Sequence, residues 1–498
     1  MKSLKKTIIM RGVTLLHFAA TVGLFVVCWM AFYRYPATQG DYFMHNRTIC
    51  AAYVLMLFAM SRVYNGYQVG MYRVTDIFYN QALASLVSWG IVYILACIMA
   101  QRLLNPLAGV CFFLMQCVVS FGWAMAAVRL YFGLHKPKKT VVIYRNESDL
   151  RKLEEITDYQ KKWRIALRVQ CIDSQNVHDL PYQAEPANGE ERHAGMDAHF
   201  QEIPKTVVDQ NIYRIIDAIR QYETVFVSGV NATLRNGIVK YCVETKKPCF
   251  FIPHTGDVII SGATHMKALA VPVCKVERCR PTPEYLLIKR AFDILVSLFA
   301  IVLLLPFMAA TAAAIKAYDH GPVLYKQVRL TRDGKTFKIL KFRSMKVNAE
   351  QDGVARLASE NDDRITPIGK IIRAIRFDEL PQLFNILWGD MSIVGPRPER
   401  PEIAKQYEKA FPAFRLRLQV KAGLTGYAQV YGRYNTEPAD KLKMDLLYIN
   451  NIARGYGVAE DLRLMLATVR ILLMKESTSG VEKGQTTAMG VGNEEKSA

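Results

Sequence analysis

Two adjacent carboxylates, Asp378 and Glu379, stand in the most motif-dense stretch of the chain, RAIRFDELPQLFNILWGDMSIVGPRPER from Arg373 to Arg400. Arg373, Arg376, Arg397 and Arg400 lie on either side of them, and Lys341 and Arg343 lie upstream in KFRSM. Phosphoryl transfer asks for this mixture: cations that neutralise phosphate oxygens, and a group that attacks phosphorus or activates the attacker. Guanidinium groups match phosphate geometry. One carboxylate can serve as nucleophile while its neighbour holds Mg²⁺ against a diphosphate, and residue types alone do not assign the two roles. A cap competes with this reading. Asp378 directly precedes an expected helix, Glu379–Leu387, with Pro381 in its first turn, and an isolated DELP more often marks a helix start. The two readings are compatible, because a helix N-terminus also favours anions. Gly389-Asp390 and Gly395-Pro396 read as turns, with Asp390 equally suited to structure and chemistry.

The elements that must position these groups come before them. Val323–Arg329, a turn at Asp333-Gly334 and Phe337–Lys341 form a hairpin signature, which delivers Lys341 and Arg343 to one side of an alternating strand. Upstream runs an apolar stretch, Ala291–Ile315, long enough to cross a bilayer. Pro306 inside it removes a helix hydrogen bond, Asp293 stands near its start, and Lys289, Arg290, Lys316 and Lys326 flank both ends, so charge bias gives no preference for crossing. A helix–break–helix hairpin that enters one leaflet and returns fits these features.

The rest of the 498-residue chain needs two or three structural units. Its residues are 51% hydrophobic and 22% charged, with the apolar ones gathered in blocks. Four stretches approach or exceed the ~20 residues of a membrane helix: Thr14–Phe32, Thr48–Arg62, Asn80–Ala100 and Pro106–Leu130. Lys2, Lys5, Lys6 and Arg11 precede them, Arg62 and Arg73 fall between the second and third, and Arg129, Lys136, Lys138 and Lys139 follow the fourth. That asymmetry puts both ends of the bundle in the cytoplasm. The net charge of +20 calls for an anionic partner. With no nucleic-acid motif at its proper spacing, lipid headgroups and phosphorylated substrates are favoured over nucleic acid. The 10 cysteines form neither CxxC pairs nor Cys/His clusters and read as free thiols. From Lys139 strands alternate with helices (strands at Thr140–Tyr144, Arg164–Asp173, Thr224–Gly229 and Pro248–Pro253), which indicates a parallel, Rossmann-like sheet. The turn after its first strand, Tyr144 to Ser148, has no glycine, which argues against a dinucleotide there.

From Lys289 to about Arg470 the sequence resembles the bacterial sugar transferase family, the monotopic-type polyprenol-phosphate phosphoglycosyl transferases. The residues that carry the resemblance are Lys289-Arg290 with Asp293, Pro306, Gly321-Pro322-Val323 with Gln327 and Arg329, and KFRSM at 341–345. Asp363-Arg364-Ile365-Thr366, Gly369, Arg373, Asp378 to Gln382, Asn385, Gly389 to Ser392, Val394 to Pro398, and Gly423 to Gly426 with Gln429 complete it. Ala422 and Tyr427 depart from the family's usual Pro and Trp. Together with the N-terminal spans, the chain is similar to the long-form members that prime exopolysaccharide, capsule or O-antigen synthesis. The resemblance implies a membrane protein with a four-span bundle (1–135), a degenerate Rossmann-like cytoplasmic domain (136–282) and an α/β catalytic domain (283–475) with the re-entrant helix 291–315; the tail (476–498) matches nothing in the family, and its composition suggests disorder. It implies an undecaprenyl-phosphate glycosyl-1-phosphate transferase of the bacterial inner membrane, with its catalytic domain facing the cytoplasm. Asp378 would attack the β-phosphate of a UDP-sugar and Glu379 would ligate Mg²⁺. Arg373 would hold the phosphate, Lys341 and Arg343 would add positive charge to the substrate site, and Pro396, Arg397 and Pro398 would lie near the uridine. The acceptor is undecaprenyl phosphate, and glucose or galactose 1-phosphate is the group most expected to be transferred. Phe411–Val420 and Leu462–Met474 read as amphipathic segments on the membrane surface. A homodimer through the middle domain is compatible with the sequence. Two other readings stand beside this one: single displacement with Asp378 as base or metal ligand, and a membrane-anchored nucleotide-sensing regulator with an inert transferase domain.

Overall fold

A computed structural model describes residues 2–33, 42–159, 161–171, 205–208, 212–266, 273–347, 362, 364–432 and 437–472. The expected tail at 476–498, Asp363, Asp173 and Met474 lie outside the described residues. The chain divides into two compact units, Met1–Pro253 and His254–Ala498.

In the first unit, four helices come first: α1 (Lys2–Cys28), α2 (Tyr42–Val63), α3 (Val74–Ala100) and α4 (Leu107–Leu134). Lys5–Tyr33, Val74–Ala100 and Leu107–Leu134 are long and apolar enough to cross a membrane, whereas α2, the shortest of the expected spans, falls below that mark. Residues β1 (Lys138–Tyr144), α5 (Glu147–Tyr159), β2 (Trp163–Gln170), β3 (Lys205–Val208), α6 (Ile212–Arg220), β4 (Thr224–Val227), α7 (Ala232–Glu244) and β5 (Cys249–Phe251) follow. The strands form one parallel sheet in the order β3-β2-β1-β4-β5. Alternation explains its two-sided burial. Val141, Ile143, Val225 and Val227 pack with Ile215, Ile219 and Ile238 from α6 and α7, while Val142, Tyr144 and Phe226 turn to Leu150 and Leu153 of α5. All ten cysteines are free.

The second unit opens with α8 (Thr255–Ser261) and the strands β6 (Thr264–Met266) and β7 (Val273–Lys275). Residues expected to belong to the middle domain pack into its core: Val258 and Cys279 join that cluster, and Asn450 donates to the Val258 carbonyl at 2.6 Å. Then comes α9 (Pro283–Asp319), with Thr282 as N-cap and Pro283 at its first position. It runs unbroken through Pro306 for 37 residues, so the expected helix–break–helix is one helix that begins eight residues before Ala291. A missing proline hydrogen bond leaves the neighbouring turns intact, and packing on both sides of it keeps the chain helical. Tyr285, Asp293, Ser297, Ile301, Met308 and Ile315 form its buried stripe. Leu295, Phe299, Val302, Leu303 and Phe307 on the other side are all more than half exposed.

The antiparallel hairpin β8 (Leu324–Leu330) and β9 (Thr336–Phe342) matches expectation, with Lys341 opposite Tyr325. The unit closes with α10 (Pro367–Ala374), α11 (Gln382–Trp388), β10 (Ser392–Val394), α12 (Pro401–Ala410), β11 (Gly423–Thr425), α13 (Tyr427–Val430), α14 (Pro438–Ala453) and α15 (Gly457–Leu472). Residues 412–419, expected on a membrane surface, form a 3₁₀ turn that buries Phe414 and Arg417; α15 keeps Leu462 and Val469 exposed.

Candidate active site

Asp378 and Glu379 sit in a single 3₁₀ turn, Phe377–Glu379, entered through Arg376 in the left-handed region (φ 56°). The N-cap position of α11 falls to Pro381, so Asp378 is not the cap that DELP suggests. Its carboxylate makes no hydrogen bond to another described residue, although Lys341, Arg373 and Arg397 act on it electrostatically. Glu379 is firmly held. Its Oε1 accepts from Lys341 Nζ at 3.1 Å and from Arg397 Nη2 at 2.9 Å, leaving Oε2 without a donor among the described residues.

Three anchors bring these groups together. The Asn385 side chain ties α11 to β9, accepting from Leu340 N (2.9 Å) and donating to Lys338 O (3.0 Å), which sets Lys341 beside the dyad. Asn385 also donates to Asp390 Oδ2 at 3.1 Å, so Asp390 serves structure. Thr366 caps α10 by accepting from Gly369 N at 2.9 Å. A Cβ on Gly369 would overlap the Ser344 carbonyl, and this close approach fixes the helix that carries Arg373. On the far side, β10 and β11 pair in parallel, Ser392 with Gly423 and Val394 with Thr425. They cross so closely that a Cβ on Gly423 would overlap the Gly395 nitrogen. The Gly-Pro-Arg-Pro and Gly-Leu-Thr-Gly motifs are therefore one structural unit, and Arg397 leaves it toward Glu379.

Helix α9 supports the same frame. Arg290 caps the C-terminus of α11, donating to Ile386 O (2.7 Å) and Leu387 O (2.8 Å). Asp293 accepts from Ser392 Oγ and Ile393 N, both at 3.0 Å. Lys289 meets Asp461 at 2.9 Å, and Tyr285 and Tyr448 donate to the same carboxylate.

Not every expected residue joins the cluster. Arg343 is buried and paired with Asp319 at the end of α9. Pro396 and Pro398 have carbonyls turned into the scaffold, accepting from Gly423 N (2.9 Å) and Arg329 Nη1 (3.1 Å). Arg417, Asp445, Glu399 and Asp319 were missed by sequence reasoning. For Asp445 a signal was present, since Leu442, Leu446, Ile449 and Ile452 form an apolar helix face that contains position 445.

Burial pushes the Asp378 carboxyl above its ordinary value; Lys341 pulls it back, and Glu379 adds to the rise. Burial also opposes ionisation of Glu379, yet Lys341, Arg397 and Arg376 outweigh it and hold that group well below the usual carboxylate range. Two neighbouring acids are thereby driven apart, a pattern that separates roles within a pair. Among the described residues no three His, Cys, Asp or Glu side chains form a metal cage. A single carboxylate oxygen such as Glu379 Oε2 does fit a cation that takes its other ligands from phosphate and water, as Mg²⁺ does.

A family model described as bacterial sugar transferase matches residues 284–475. An Aeromonas hydrophila protein named UDP-N-acetylgalactosamine-undecaprenyl-phosphate N-acetylgalactosaminephosphotransferase is 42% identical over 196 residues, 39% of this chain and 45% of that protein. A Klebsiella pneumoniae UDP-glucose:undecaprenyl-phosphate glucose-1-phosphate transferase is 42% identical over 237 residues, 47% of this chain and 50% of its own length. The chain thus spans about half the length of these two relatives. The exopolysaccharide production protein PSS of Rhizobium leguminosarum bv. phaseoli is 41% identical over 193 residues, which are 37% of this chain and 94% of that protein.

Proposed function

The chain belongs to the bacterial sugar transferase family, and from that premise we propose that it transfers a sugar 1-phosphate from a UDP-sugar to undecaprenyl phosphate in two steps. First, an Asp378 carboxylate oxygen attacks the β-phosphorus of the UDP-sugar. The bond from that phosphorus to the bridging oxygen breaks, UMP leaves, and the sugar-phosphate remains joined to Asp378 as an acyl phosphate. Then a phosphate oxygen of undecaprenyl phosphate attacks the same phosphorus, the bond to Asp378 breaks, and undecaprenyl-diphosphate-sugar departs. Splitting the reaction lets a soluble and a lipid-bound substrate use one site in turn. The observation that carries this reading is the contrast within the dyad: Glu379 is doubly hydrogen-bonded while Asp378 is unbonded among the described residues and ringed by cations.

Glu379 would hold Mg²⁺ through Oε2, and the ion would supply charge neutralisation to the diphosphate. Lys341 and Arg397 keep Glu379 ionised and in place, and Arg373 adds positive charge beside Asp378. Arg343, paired with Asp319, shapes the end of α9 in this reading.

A course within one leaflet, in place of the expected break and return, is favoured for α9 by its anchoring at both ends. The helix is ~55 Å long, against a hydrocarbon core of ~30 Å. Yet Lys289 and Arg290 near one end and Asp319 at the other all pair with side chains and carbonyls of the same α/β unit. A helix that crossed the bilayer would separate those partners. Lying in one leaflet, its exposed apolar side meets lipid, and the dyad sits near the depth of a lipid phosphate. The charge bias of the N-terminal helices and the cytoplasmic supply of UDP-sugars favour the inner membrane with the catalytic unit facing the cytoplasm. The sheet of the first unit, with its β3-β2-β1-β4-β5 order, reads as a Rossmann-like scaffold and as the site of any homodimer.

Purified protein, undecaprenyl phosphate and Mg²⁺ with a panel of UDP-sugars test the proposal. UMP release with at least one sugar, abolished by Asp378→Ala, is the expected outcome; no release with glucose, galactose or their N-acetylated forms would overturn it.

A further inference from the structure

Arg417 lies in the 3₁₀ turn after α12 and is 3% exposed. Its Nε donates to Asp445 Oδ2 at 2.8 Å, and Asp445 is itself 1% exposed. Its Nη1 lies 3.5 Å from Glu399 Oε1. Its Nη2 donates to the carbonyl oxygen of Arg397 at 2.9 Å. A guanidinium has five donors in a rigid plane, and here the plane is used to connect two buried or half-buried acids to one backbone oxygen. That oxygen belongs to the residue whose side chain grips Glu379. The neighbouring carbonyls of Pro396 and Pro398 are held separately, by Gly423 N and Arg329, and the Glu399 carbonyl accepts from Leu330 N at 3.0 Å. Arg417 thus donates to the Arg397 carbonyl in the middle of a loop pinned on both sides.

We propose that Arg417, oriented by Asp445, is a positioning residue: it fixes the backbone of Arg397 so that the Arg397 guanidinium stays on Glu379. The inference rests on the transfer reaction proposed above. A buried ion pair is weak evidence of stabilisation in itself, since a pair of well-packed apolar residues often does as well. What apolar residues cannot supply is the donor to the Arg397 carbonyl. The consequence is a specific coupling. Any change that frees the Arg397 backbone should loosen its hold on Glu379.

Three variants of the full-length enzyme separate positioning from mere support: Arg417→Lys, Arg397→Gln and their combination, with a fourth, Arg417→Met with Asp445→Leu, in which no charge is left buried alone. Steady-state UMP release is the first readout. Arg417→Lys should lower kcat/KM at least tenfold, the direction expected for Arg397→Gln. In the Arg397→Gln background, adding Arg417→Lys should cost less than a further twofold. The Met/Leu pair should fold yet remain impaired. Multiplying effects or wild-type turnover by the Met/Leu pair would each overturn the proposal. Hydrogen exchange across residues 395–400 is the second readout and needs no turnover: faster exchange in the Met/Leu pair is expected, and unchanged exchange contradicts the role. If the wild type releases no UMP from any UDP-sugar, the proposed reaction falls, and the exchange result alone decides the positioning claim.

Discussion

At the scale of single residues, Asp378 and Glu379 differ in environment more than in chemistry. The nucleophile must be ionised to attack. Because burial raises the Asp378 carboxyl, activity should be present above that raised value and lost as pH falls through it. The acid limb of kcat/KM is therefore expected above ~3.9, the ordinary aspartate value, and a limb at or below it would contradict the assignment. Lys341 is the largest favourable charge on both acids. Lys341→Met should move the limb further up and reduce kcat by roughly 10²–10³, the usual effect of losing one charge-stabilising donor; steady-state kinetics across pH checks both. The cations around the dyad were legible from residue type and proximity in sequence. Which cation bonds to which acid was not, because Lys341 and Arg397 reach Glu379 from a strand and a loop placed by separate contacts. Arg343 shows the limit well. It shares a strand face with Lys341 by alternation, yet two residues along the strand is far enough for Asp319 to claim it.

At the scale of elements, the hairpin, four of the five parallel strands and the apolar helices followed from periodicity and turn chemistry; the strands appear within a few residues of their expected bounds, while several of the helices begin six to twelve residues earlier than expected. The helix α9 did not break at Pro306, because whether a proline ends a helix depends on what packs around it. Equally hidden was the crossing of β10 and β11, since nothing local says that Gly395 and Gly423 meet. Their glycines allow two backbones to touch. Gly423→Ala should cost about 1–3 kcal/mol, the range for overpacking a tight contact, and shift Arg397 with the loop. A lowered Tm together with weakened turnover is expected in thermal unfolding and UMP assays, and an unchanged Tm would show that the crossing is looser than described.

At the scale of the whole molecule, the central topological question is whether α9 crosses. In a background without the ten free thiols, single cysteines at the exposed positions Glu284 and His320 should both react with an impermeant reagent from the cytoplasmic face of oriented vesicles. Labelling from opposite faces would mean that the helix spans. The helices of the bundle were legible through hydrophobic length, while the anchoring of both ends of α9 on one unit required three dimensions, because Asp319 and Arg343, and Arg290 and Ile386, are distant in sequence. The account as a whole depends on Asp378 becoming covalently modified. Incubation of the protein with a UDP-sugar and Mg²⁺, without any lipid acceptor, followed by peptide mass spectrometry, tests this most directly. A sugar-phosphate on the Asp378 peptide with one UMP released per modified chain is the predicted result; UMP release that requires the lipid, or substantial transfer by Asp378→Asn, would contradict it.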